Sequence, residues 1–297
     1  MAIVTKAHGE MVRFVEESSE EVTAIAMGKS TEAHGPFDSS RKAETAYFDD
    51  LEANGFCVVE DILSAGEVFD IRKKLLAAAR ESNRRGVPTH IPSLDQNDSN
   101  IRIFNLLDLD PVFLELMGRS EAIKFVKQLI GEDFIVSNFT ANIALPGAKS
   151  MHAHSDLGIV FPGPWLEPWS MNTLWCLDDI HFENGATRYL PKSHHIEKAA
   201  DVPHDMLEKM LSFEAKAGSL IIMDGRLWHT SGENVTQNEE RAIVFGYYSA
   251  AFLRPQVNWN VLLAEETQQA LSKQQRKWLG LNGTANTVSA NFTEGSP

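Results

Sequence analysis

Apolar residues change their spacing along this chain. Through residues 47–130 they recur every three or four positions, as on one face of a helix; from Asp133 onward they come in short runs cut by Gly, Pro and Asn. The segment YFDDLEANGFCVVEDILSAGEVFDIRKKLLAAARES (47–82) predicts an amphipathic helix, a turn at Gly55, a short apolar strand and a long second helix. Ser64 stands where that second helix needs an N-cap, and Glu67, three residues on, is placed to complete a capping box. After a loop rich in Pro, Asn and Asp (86–100), IRIFNLLDL predicts a strand or extended segment. Pro111 then opens a helix running to about Ile130, with Leu114, Met117, Phe125 and Leu129 on or near one face.

The downstream runs DFIVSNFTANIALP, SMNTLWCLDDI, ATRYLP, GSLIIMDG and RAIVFGYYSAAFL have strand length and end in turn residues, which predicts a sandwich, barrel or jelly roll. VLLAEETQQALSKQQRKWLG (261–280) predicts a closing helix. The fold class expected is therefore mainly β with flanking helices, without internal repeats. Residues 1–42 are polar, acidic and weakly periodic and read as an extension, partly disordered; 43–280 read as one catalytic domain and 281–297 as a frayed tail.

Composition narrows the function classes. The chain has 297 residues, 43% of them hydrophobic, within the range of one core. Its net charge is -14 and the acidic residues are spread throughout, so phosphate backbones and anionic lipids are repelled and nucleic acid is not expected as a partner. Cys57 and Cys176 each sit inside an apolar run and read as buried, reduced thiols. No segment approaches the roughly 18 apolar residues of a membrane span, and neither end carries a targeting signal, so a cytoplasmic protein is expected. A homodimer is left open.

The candidate chemistry begins with MHAHSDLG. In an extended chain His154 and Asp156 project to the same side and can offer an imidazole nitrogen and a carboxylate oxygen to one cation. LIIMDGRLWHTSG supplies His229 at the end of an apolar strand. Two histidines and one carboxylate form the facial set of non-haem iron, which leaves three positions open; the same set can hold zinc with water. His8/Glu10, His181/Glu183 and His195/Glu197 are competing His-x-Glu pairs, and His152 is the nearest substitute ligand. Arg241 follows His229 by twelve residues and opens a strand, so that a hairpin would bring its guanidinium, a two-pronged carboxylate binder, beside the metal. Ser231, two residues past His229, adds a hydroxyl on the same side.

In this order the motifs resemble the phytanoyl-CoA dioxygenase family of iron(II)/2-oxoglutarate oxygenases. The match runs from Phe48 to Leu253 and takes in the opening helix and strand, HAHSD, NGATRYLPKSHH and GSLIIMDGRLWHTSGENVTQNEERAIVFGYY. The resemblance implies a double-stranded β-helix (cupin-like jelly roll), Fe(II) held by His154, Asp156 and His229, and the distal carboxylate of 2-oxoglutarate held by Arg241 and Ser231. It also implies cosubstrate contacts from Thr187, Arg102 and Asn142. The reaction implied consumes O2 and 2-oxoglutarate, releases succinate and CO2, and hydroxylates, desaturates or rearranges the substrate. Asp156 itself argues against halogenation, because halide needs the carboxylate's place.

Lys192 departs from the family pattern, standing where the PGSH signature has glycine. The insertion GIVFPGPWLEPWSMN after Asp156 reads equally as a lid or pocket wall and as core. Trp165, Trp169, Trp228, Phe139 and Met151 cluster in sequence around the ligand segments, which predicts a hydrophobic small molecule, such as a natural-product intermediate, ahead of an acyl-CoA. A zinc or manganese cupin-like hydrolase or isomerase, which has no use for Arg241, and a metal-free binding protein are the rival readings.

Overall fold

Period-two alternation builds two antiparallel sheets that share an interior. In the computed structural model, which describes residues 39–161 and 163–281, the strands are β1 (Phe56–Val59), β2 (Asn100–Ile103), β3 (Phe134–Ala144), β4 (Ser170–Cys176), β5 (Arg188–Tyr189), β6 (Leu211–Ser212), β7 (Leu220–Asp224), β8 (His229–Thr230) and β9 (Arg241–Ala250). The larger sheet has the order β1-β7-β4-β9-β3-β2 and the smaller one β6-β5-β8. Leu174, Cys176, Ile221, Met223 and Ile243 from the large sheet meet Tyr189, Phe213 and Leu227 from the other side in one buried cluster, which is the jelly-roll interior. The outer face of the large sheet, including Ile103, Met171, Trp175, Leu220, Ile222, Val244 and Tyr248, packs instead on the helices. The predicted fold class is the observed one.

A bulge decides what β3 shows to the interior. Phe134 and Val136 face the helices, but the register with β9 shifts between Val136 and Asn138, so that Ser137 is the extra residue. Beyond it the parity is reversed: Phe139, Ala141 and Ile143 join the helical core, and Asn138, Thr140 and Asn142 take the inner side. The bulge is fastened by Ser137, whose hydroxyl oxygen accepts Gln256 N–H and whose carbonyl accepts Val257 N–H.

The helical layer follows its caps. Helix α1 (Ser39–Asn54) begins ahead of the expected boundary at residue 42; the rest of the expected extension, and the expected tail beyond residue 281, lie outside the described residues. Helix α2 (Ala65–Arg84) starts with the predicted capping box, Ser64 and Glu67 bonding each other's backbone N–H. The single helix predicted from Pro111 to about Ile130 is two, α3 (Pro111–Met117) and α4 (Ser120–Ile130), because Gly118 ends the first and Arg119 is extended. Arg119 uses the break to reach the Glu67 carboxylate and the Ile62 carbonyl. A short α5 (Met206–Lys209) follows, and the predicted closing helix is α6 (Trp259–Leu262), α7 (Glu265–Ala270) and α8 (Lys273–Trp278), the last restarted by a Ser272–Gln275 capping box.

Both cysteines are free and buried, as expected, and burial pushes each thiol up to about 12. Among the described residues no helix is long and apolar enough to cross a membrane. The insertion after Asp156 resolves toward core at one position: Trp165 is buried with Leu157, Leu190, Met210 and Trp228, and its indole N–H donates to the Val160 carbonyl.

Lys192 sits in the left-handed region, at φ 60°, at the N-terminal edge of a turn over Ser193–His195. A side chain with a Cβ pays roughly 1 kcal/mol for that conformation, and glycine does not. Lys192→Gly should therefore raise stability to chemical denaturation by about 0.5–1 kcal/mol; an unchanged or lower midpoint at constant slope would show that the turn carries no such strain.

Candidate metal centre

His154 and His229 are placed by each other. His154 N–H donates to His229 O (2.9 Å) and His229 N–H to His154 O (2.8 Å), an isolated two-way bridge that aligns the two side chains with ring centroids 4.4 Å apart. Asp156 opens a 3-10 turn, Asp156–Ile159, and turns its carboxylate back toward the pair. His154 Nε2 lies 3.7 Å from Asp156 Oδ1 and His229 Nε2 3.9 Å from Asp156 Oδ2. One donor atom from each residue falls within 4.8 Å of the other two, close enough to share an ion.

Both rings are aimed by backbone carbonyls. Nδ1 of His154 bonds to His152 O (3.0 Å) and Nδ1 of His229 to Leu227 O (2.9 Å), which leaves each Nε2 with its lone pair toward the cluster. Burial, and then the neighbouring His229, push the His154 imidazole down to about 4, against an opposing pull from Asp156. The ring is thus neutral and ready to ligate at neutral pH. Side-chain exposure is 29% for His154, 14% for Asp156 and 11% for His229, so the cluster is reached from one side only. Asn172 of β4 donates an amide N–H to Asp156 Oδ2, and the Tyr247 hydroxyl of β9 donates to the Asp156 carbonyl at 3.4 Å. Neither residue had a sequence signal; only strand pairing brings them here.

The strand containing Leu220–Asp224 ends before His229: the chain turns at Gly225 and His229 belongs to the smaller sheet. The hairpin predicted between His229 and Arg241 is therefore absent, and Arg241 instead starts β9 between β4 and β3. Its side chain is 1% exposed, its Nε has no partner, and it makes no hydrogen bond or ion pair among the described residues. Burial, and then the like charge of Arg102, push the guanidinium down to about 10. The nearest help, Asp178, is already committed to Arg72 Nε (2.8 Å) and to Ala242 N–H (2.9 Å). A buried cation left in this state demands an anion.

Arg102 and Asn142 are paired across β2 and β3, on the same row as Ile243 of β9. Arg102 is held in a two-pronged bond by Asp95 and points Nη2 also at Met151 Sδ (3.9 Å); Asn142 donates to Asn100 Oδ1 (3.2 Å). The Ser231 hydroxyl oxygen accepts Met151 N–H at 3.0 Å. Thr187 is buried just before β5, its carbonyl accepting Phe213 N–H. Of the competitors, His181 is tied to Glu183 and Glu239, His195 stacks on His194, and His152 serves through its carbonyl; His8 lies outside the described residues. The aromatic residues that suggested a pocket wall are divided: Phe139 is in the helical core, and Trp165 and Trp228 are buried in a third cluster against which Trp169 packs. For Phe139, nearness in sequence to the ligand segments did not put it on the interior side.

Comparison with known proteins agrees with this architecture. Dioxygenase af480 of Aspergillus fumigatus is 43% identical over 243 residues, 82% of this chain and 79% of that protein. HygX of Streptomyces hygroscopicus, solved with nickel and 2-oxoglutarate bound, superposes with a TM-score of 0.57 at 16% identity, over 71% of this chain and 88% of that one. SnoN, a non-haem α-ketoglutarate-dependent epimerase from nogalamycin biosynthesis, gives a TM-score of 0.57 at 18% identity, over 73% of this chain and 85% of its own. These two show the shared fold. The model of the phytanoyl-CoA dioxygenase (PhyH) family matches residues 51–243, more than half of the chain, and the chain belongs to that family.

Proposed function

We propose that this protein is an Fe(II)- and 2-oxoglutarate-dependent dioxygenase that hydroxylates, desaturates or rearranges a hydrophobic small molecule, an intermediate of secondary metabolism. The observation that carries the reading is the combination of a three-donor cluster with a buried arginine that has no side-chain partner among the described residues, in one jelly-roll interior. His154, Asp156 and His229 would hold the iron, a set of two imidazoles and one carboxylate that suits Fe(II) and leaves half of an octahedron open. Arg241 would bind the far carboxylate of 2-oxoglutarate, supplying the anion that its burial calls for. When bound, iron and 2-oxoglutarate supply O2 activation: one oxygen atom passes into succinate as CO2 leaves, and the other becomes available to oxidise the substrate.

The chain's own groups orient these partners and exclude water. Arg102, fixed by Asp95, and Asn142 would flank the cosubstrate from β2 and β3, with Thr187 and Ser231 adding hydroxyls from the opposite sheet side. Support for a hydrophobic substrate comes from outside the core: on the segment after Asp156, Phe161 is 91% exposed and Leu166 also stands free, while Trp169 meets the exposed Phe252 edge-on. The name of the fungal relative and the pathway of SnoN favour a natural product. A net charge of -14 weighs against the polyphosphate handle of an acyl-CoA.

Anaerobic titration of the metal-free protein with Fe(II) and 2-oxoglutarate tests the class, through the weak visible charge-transfer band of the chelate. His229→Ala should lose the band and most bound iron, since two donors remain; normal iron retention in that variant would remove His229 from the ligand set. Arg241→Ala should keep iron and raise the 2-oxoglutarate needed for half-formation of the band by about tenfold to a hundredfold, the worth of a charged hydrogen-bonded pair at roughly 1.5–3 kcal/mol. An unchanged requirement would remove Arg241 from the cosubstrate site, and absence of the band in folded wild-type protein would leave the zinc or manganese hydrolase as the better reading.

A further inference from the structure

Asp156 is gripped at both ends by two neighbouring strands. Asn172 and Tyr247 are directly opposite each other in the β4–β9 register; the first donates to the carboxylate Oδ2 and the second to the backbone carbonyl. Asn172 is buried and makes no other side-chain bond among the described residues. Its amide nitrogen carries two protons and a lone pair delocalised into the carbonyl, so it donates to a carboxylate oxygen and does not ligate a cation. Oδ2 accepts this bond and keeps a second lone pair, whereas Oδ1 accepts none among the described residues and is the freer oxygen for a metal.

The number of ligating oxygens matters to the reaction proposed above, and this inference rests on that reading. Two imidazoles and a one-oxygen carboxylate fill three of six positions; a chelating 2-oxo acid takes two more and one remains for O2. A carboxylate that ligated through both oxygens would fill the sixth position, and O2 would have none. We propose that Asn172 is a positioning residue that confines Asp156 to one-oxygen ligation and so keeps the O2 position open. Tyr247 fixes the backbone from which that carboxylate swings, and the 3-10 turn at Asp156–Ile159 fixes its direction.

The test uses nitric oxide as a probe of the sixth position. Wild-type protein and Asn172→Leu, which keeps the branched shape but removes both donors, are loaded anaerobically with Fe(II) and 2-oxoglutarate. Nitric oxide is then titrated in while the iron–nitrosyl paramagnetic signal is followed. The expected result is that both proteins form the 2-oxoglutarate charge-transfer band and that the variant binds nitric oxide at least about tenfold more weakly, in the range of disturbed metal-ligand supports. Equal nitric oxide affinity in both overturns the role of Asn172 and leaves the dioxygenase reading intact, since a merely structural asparagine would alter stability alone. Failure of the wild-type protein to form the band overturns that reading, and this inference with it. Circular dichroism checks folding, and Asn172→Ala carries the same comparison where the leucine variant does not fold.

Discussion

The alternation of β9 is the constraint on which the rest of the molecule depends. It pairs with β4 on one side and β3 on the other, and its residues divide strictly: Ala242, Val244 and Tyr248 go to the helical core, while Arg241, Ile243 and Phe245 go to the interior and Tyr247 reaches Asp156. A slip of one residue would bury Arg241 against helices and take Tyr247 away from Asp156. Two features hold the register. Tyr248 donates its hydroxyl to Met117 O at the end of α3 (2.7 Å), and Gly246 lets β9 lie so close to its neighbours that a Cβ there would stand 2.5 Å from Thr173 Oγ1 and 3.0 Å from the Phe139 ring. Asp178 and Arg72 then fix the strand's first turn of chain from the side of α2.

Electrostatics in the interior is unbalanced in one direction only. Asp95 neutralises Arg102, yet nothing described neutralises Arg241, and the Arg102 guanidinium raises the cost of charging Arg241. On a protein with net charge -14 such a localised positive interior does not arise from surplus base; it is built by placing acids elsewhere. In the proposed reading, a ligand with two separated carboxylates would set one against Arg241 and the other at the metal, and binding it would stabilise the native state by the same linkage that favours its binding.

The residue types and their order made the ligand triad legible, because a metal asks for particular atoms whatever the backbone does. Capping was legible for the same kind of reason at Ser64 and Glu67, where the chemistry is local. Long-range parity was not. The stretch FIVSNFTANIA alternates well enough to be recognised as a strand, but the bulge at Ser137 reverses which residues face inward, and with it Phe139 passes from expected pocket wall to core. Likewise the run ending in Asp224 gives no sign that the chain changes sheets before His229, and Asn172 is one polar residue inside an apolar strand until β4 is laid beside Asp156. In each case the missing information is which strands are neighbours, a property of the whole chain.

In the proposed reading, the division of the site between the two sheets would give the core a direct part in selecting the cosubstrate. His154 and His229 are tied to the smaller sheet through β8, whereas Arg241, Asn142, Arg102 and Asn172 stand on the larger one. The distance between these groups is set by what fills the interior. Tyr189 and Phe213 stack with centroids 4.5 Å apart, and Phe56 of β1 leans on both, at 4.6 and 4.8 Å. Close-packed rings resist compression and leave no room to settle, so they hold the sheets at one separation, typically about 10 Å for facing sheets. In the proposed reading, a metal on one wall and Arg241 on the other, at a separation fixed by packing, would distinguish a dicarboxylate of one length from its shorter and longer homologues.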